Sequence, residues 1–88
     1  MLRAEATIVN KLGLHARPSA KITQIASKFA AEIWLSKGAR RINAKSIMGV
    51  MMLAAARGST LVIEADGPDE SEAVEAMKSL IGSGFGEE

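Results

Sequence analysis

Asn10-Lys11-Leu12-Gly13-Leu14-His15-Ala16-Arg17-Pro18-Ser19 is the stretch at which the chain changes period, and its reading decides the fold. Before it, residues 2–9 alternate as a strand does, with Leu2, Ala4, Ala6 and Ile8 on one face and Arg3, Glu5 and Thr7 on the other. Asn10 and Gly13 interrupt the alternation with turn chemistry. After it, Ile22, Ile25, Ala26 and Phe29 recur at helical spacing, which predicts a helix from Ala16 to about Ala30. Pro18 has no backbone N–H and fits only the first turn of that helix, so the helix starts at or just after His15.

Working outward, residues 32–37 and 40–44 read as two short strands joined across Gly38-Ala39. Ser46 opens an apolar stretch, Ile47 to Ala55, that reads as a helix capped by the serine hydroxyl and ended by Gly58. Residues 60–66 alternate again, with Leu61, Ile63 and Ala65 on one side. Asp69 and Glu72 have the spacing of a capping pair for a last helix, whose buried stripe is Val74, Met77 and Leu80 or Ile81 and which ends near Gly82. Residues 83–88 are glycine-rich and acidic, predicting a flexible tail. The order is βαββαβα, and an α+β fold with helices on one face of a small antiparallel sheet is the economical way to bury these faces. Residues 1–88 read as a single domain.

Composition narrows the chemistry. The chain has no cysteine and one histidine, which leaves neither a disulfide framework nor a thiolate or multi-histidine metal site. No apolar run approaches the roughly 20 residues of a membrane span, and the first residues lack the layout of a secretory signal. No membrane insertion and a cytoplasmic location are the expectations. Net charge is +1, yet residues 1–45 hold nine Lys/Arg against two Asp/Glu, while residues 46–88 hold two against eight. Such a split favours a face that attracts anions or acidic partners, unless folding interleaves the halves.

His15 stands where the backbone N–H groups of a helix start lack intrahelical acceptors and the helix dipole is positive. Together these favour a phosphate-sized anion. Arg17 adds a planar fork of donors suited to phosphate oxygens. Imidazole is a competent nucleophile near neutral pH, and a phosphoryl group on its nitrogen is readily passed on. Most lone histidines at such positions are caps or loop residues, so the surrounding pattern has to decide.

That pattern, Gly13-Leu14-His15-Ala16-Arg17-Pro18-Ser19, closely resembles the active-site signature of the HPr family, the histidine-containing phosphocarriers of the bacterial phosphoenolpyruvate-dependent sugar phosphotransferase system. Asn43-Ala44-Lys45-Ser46-Ile47-Met48-Gly49-Val50-Met51 resembles the family's second signature at the expected distance. The resemblance covers nearly the whole chain. It implies an open-faced β-sandwich, a four-stranded antiparallel sheet with three helices on one face.

By position, the resemblance implies that His15 is phosphorylated on Nδ1 by phosphorylated enzyme I and then donates to enzyme IIA domains. Arg17 would stabilise the phosphoryl group, and the chain would be a carrier with a phosphohistidine intermediate rather than a turnover enzyme, with no bound cofactor. Ser46, beyond its capping role, would be a regulatory phosphoserine made by an HPr kinase/phosphorylase. Ala16, Ala20, Gln24, Lys45, Ile47, Met48 and Met51 would form the partner-binding surface, with Lys28 on the same face of the first helix. Methionine suits a surface that meets several partners. Arg17, Lys45 and Arg40 would supply a basic rim. A monomer is the natural form for such a shuttle.

A nitrogen-type regulatory phosphocarrier would share this chemistry, but the Ser46 block favours the sugar-system carrier. A relative lacking the histidine would only regulate, and His15 argues against it. A small nucleic-acid-binding module would need aromatic platforms, and the chain offers only Phe29, Trp34 and Phe85. Gly38-Ala39 departs from the Asn-Gly that many family members carry, and Trp34 is assigned no role.

Overall fold

Alternation and helical periodicity resolve into seven regular elements and one short turn in a computed structural model, which describes residues 1–86. In chain order they are β1 (Leu2–Thr7), α1 (Ala16–Ala26), β2 (Glu32–Lys37), β3 (Arg40–Asn43), α2 (Ile47–Met52), β4 (Thr60–Asp66) and α3 (Glu70–Gly82), followed by a 3₁₀ turn at Gly84–Gly86. The strands form one four-stranded antiparallel sheet in the order β1-β4-β2-β3. This is the open-faced α+β arrangement that the alternating strands require once one face is covered by helices.

The two-residue period sorts the sheet. Ile33, Leu35, Leu61, Ile63 and Ala65 are fully buried and meet Ile22, Val50, Met77 and Ile81 from the three helices in one apolar core. The intervening residues face outward. Among them Trp34 is half-buried because the Arg41 guanidinium lies over its ring, 4.2 Å from the centroid, while Arg41 Nε donates to Glu64 Oε1 at 2.9 Å. Trp34 is thus a packing residue of the uncovered sheet face, held across β2, β3 and β4. At the β2–β3 turn, Gly38 has φ +59 and Ala39 has no positive φ, the sign pattern of a type II′ hairpin.

Four local expectations are corrected. First, α1 ends at Ala26 rather than near Ala30, because Lys28 and Phe29 turn back to bond the carbonyls of Ile25 and Ala26. Second, α2 ends at Met52, ahead of Ala55 and Gly58, where Ala54 adopts φ +49 and leaves helical geometry. Third, Asp69 and Glu72 do not form a capping pair. The Asp69 carboxylate instead accepts the backbone N–H groups of Ala30 (2.9 Å) and Ala31 (2.8 Å), and Glu70 accepts that of Gly67 at 3.0 Å. Fourth, the expected flexible tail holds an ordered turn, since Phe85 is 1% exposed and its carbonyl accepts a hydrogen bond from Lys21 Nζ. Residues 87 and 88 lie outside the described residues.

Candidate functional site

His15 is the N-cap of α1, with φ −93 and ψ −168, and its side chain makes no capping bond to the helix. Its backbone is pinned from both sides: the N–H donates to Gly13 O at 3.0 Å, and the carbonyl accepts Ser19 N–H at 3.0 Å. The preceding loop is anchored in turn. Leu14 is buried and its N–H donates to Ala55 O at 2.9 Å, and Asn10 Nδ2 donates to Gly13 O at 2.8 Å. Gly13 sits at φ +67, where a side chain is strained. The result is an imidazole on a fixed stalk, half-exposed at the surface.

Around that ring, the first turn of α1 carries no acidic residue. The N–H groups of Ala16 and Arg17 have no helical acceptor, and Pro18 removes a third donor at no cost. Arg17 is exposed. These donors and the positive end of the helix suit a dianionic group on the histidine. The site therefore presents a nucleophile, two backbone donors and a guanidinium within one helical turn.

The second segment abuts the first, because α1 and α2 pack against each other. Ser46 is exposed and caps α2, its Oγ accepting Gly49 N–H at 3.1 Å. Only Val50 of the six residues in α2 is buried, whereas Ile47 (41%), Met48 (73%), Met51 (44%) and Met52 (58%) are exposed. On α1, Ala16 and Gln24 are exposed and Ala20 is half-buried, whereas Lys28, expected on the same helix face, is exposed in the turn that follows the helix. Leu12, three residues ahead of His15 in the glycine-bearing loop, is 72% exposed. The basic rim is less free than expected. Lys45 Nζ donates to Phe29 O at 2.9 Å and Arg40 Nη1 to Met52 O at 2.7 Å, leaving Arg17 as the outward-facing cation of the three.

Known proteins are similar to this chain over nearly its whole length. The family model described as "PTS HPr component phosphorylation site" matches residues 2–83. The phosphocarrier protein HPr of Cupriavidus necator is 58% identical over 87 residues, covering 99% of this chain and 98% of that protein. A crystal structure of HPr from Thermoanaerobacter tengcongensis superposes with a TM-score of 0.95 at 49% identity, covering 100% of this chain and 99% of the other. An HPr dimer from the same organism gives a TM-score of 0.79 at 48% identity, with 99% and 100% covered.

Proposed function

The chain belongs to the HPr family and is a phosphoryl carrier of the phosphoenolpyruvate-dependent phosphotransferase system, and from this premise we propose that His15 Nδ1 is the atom that carries the phosphoryl group. The observation that carries this reading is the half-exposed imidazole at the α1 N-cap, fixed through its backbone and flanked by first-turn N–H groups without helical acceptors and by Arg17.

In the transfer, the Nδ1 lone pair attacks phosphorus as the phosphorus–nitrogen bond of the donor's phosphohistidine breaks. The released electron pair returns to the donor imidazole. Arg17 and the α1 N-terminus then stabilise the arriving charge, so that positioning and electrostatics supply most of the catalysis. Enzyme I is the donor and enzyme IIA domains are the acceptors. Ile47, Met48 and Met51 form the docking surface, with Ala16, Ala20 and Gln24 beside them and Lys45 at its edge. The chain is regenerated by each donation rather than turning over a substrate of its own, and it works in the cytoplasm as one domain and as a monomer. Among the described residues no helix is long and apolar enough to cross a membrane.

Phosphorylation of Ser46 regulates this exchange. The hydroxyl is exposed, and a phosphate there adds negative charge beside the docking residues, opposing an acidic partner.

Incubation with phosphoenolpyruvate, magnesium and enzyme I, followed by intact mass and phosphorus NMR, tests the assignment. One acid-labile, base-stable phosphoryl group, absent in His15→Ala, is the expected result. A phosphoryl group retained in His15→Ala overturns it. Light scattering on the same samples reads the oligomeric state.

A further inference from the structure

Helix α2 is short, six residues, and buries a single side chain, so it cannot hold itself together by propensity or by a broad apolar face. Its last turn carries no basic residue. There the bonding tightens, with Leu53 N–H reaching Val50 O and Ala54 N–H reaching Met51 O. The carbonyl of Met52 therefore points out of the helix end without a helical donor, and that of Ala54 follows in the left-handed residue just past the C-cap.

Both are taken by one rung of the neighbouring hairpin. Lys37 and Arg40 face each other across the β2–β3 ladder at the turn. Arg40 Nη1 donates to Met52 O at 2.7 Å and Lys37 Nζ donates to Ala54 O at 3.3 Å. The rung places two positive charges at the negative end of the helix, the favourable sense of the helix dipole. The type II′ turn at Gly38 fixes the rung, and the rung fixes the end of α2.

We infer that the Lys37–Arg40 rung positions α2, so that Arg40 acts on phosphoryl exchange by holding Met48 and Met51 in place rather than by touching the partner. This rests on the reading of Ile47, Met48 and Met51 as the docking surface. Arg40 is a positioning residue in this account, and Lys37 is its weaker companion.

The test pairs two readouts on Arg40→Ala, Arg40→Lys and Lys37→Ala. One is amide hydrogen exchange of residues 50–54 by NMR. The other is KM and kcat of the carrier with enzyme I and phosphoenolpyruvate. In Arg40→Ala the expected result is faster exchange at residues 50–54 with unchanged protection in β4. KM rises about tenfold, the scale of one charge-assisted hydrogen bond, at constant kcat. Arg40→Lys restores both readouts in large part, and Lys37→Ala moves both in the same direction by less. A raised KM with unaltered exchange at residues 50–54 overturns the inference and makes Arg40 a direct partner contact. Unaltered exchange and unaltered KM overturn it equally. The docking reading fails separately: Met48→Ala then leaves KM where it was, whatever Arg40→Ala does to exchange.

Discussion

A Cβ built on Gly13 would stand 2.4 Å from the carbonyl oxygen of Ala55, so the loop that presents His15 is seated directly on the segment following α2. The neighbouring hydrogen bond from Leu14 N–H to the same oxygen, 2.9 Å, needs that close approach. Gly13→Ala combines a strained positive φ with this clash. It is expected to cost about 3 kcal/mol in urea denaturation and to slow phosphorylation of His15.

Arg17 is exposed and forms no ion pair among the described residues. Arg17→Ala should therefore leave the urea midpoint within about 0.5 kcal/mol of the parent. Rapid-quench transfer from phosphorylated enzyme I should nevertheless slow about a hundredfold, the scale of losing one preorganised charge donor.

Ser46 separates capping from charge. Ser46→Ala removes the acceptor for Gly49 N–H and should cost about 1 kcal/mol. Ser46→Asp keeps a good N-cap, so its stability should stay near that of the parent. Its rate of phosphorylation by enzyme I should fall, with the deficit shrinking as salt is added. A deficit independent of ionic strength would rule out a charge mechanism.

The Ala30 N–H, with that of Ala31, holds the Asp69 carboxyl below its ordinary value, and the Gly67 N–H, with the amino terminus, does the same for Glu70. A carboxyl with a lowered folded-state pKa stabilises the fold at pH above its unfolded value and loses that contribution as pH falls through the folded one. Stability should therefore be flat near neutrality and decline below about pH 4. In Asp69→Asn thermal melts should show a lower Tm at pH 7 and a shallower decline into acid. An unchanged acid limb would mean that Asp69 is not among the groups that set it.

Phe85 fills the core from a turn that the composition of residues 83–88 disguises as a tail. Phe85→Ala should cost about 3 kcal/mol by urea denaturation.

These cases mark what the sequence makes legible. The strand faces, the start of α1 just after His15 that Pro18 signals, and the Ser46 cap are local, each decided by spacing within one or two turns, and each stands in the structure. His15 and Arg17, the proposed site, belong to the same local pattern, which is why one heptapeptide suffices to single them out. Asp69 misled because its spacing to Glu72 fits a cap, while its partners, Ala30 and Ala31, lie in a turn that no local pattern connects to it. The bonding of Lys45 and Arg40 to backbone carbonyls was hidden for the same reason: a charge read along a sequence looks unpartnered until the fold supplies an acceptor.

The strand order has a consequence for how the molecule comes into being. β4 lies between β1 and β2, and Leu2, near the very start of the chain, pairs with Ala65. While the chain emerges from a ribosome, β1 has no partner and only the β2–β3 hairpin can zip locally. Emergence of residues 60–66 then joins both halves of the sheet in a single event. Nascent chains arrested before β4 should be protease-sensitive along their whole length, and those arrested well beyond it resistant, with little in between.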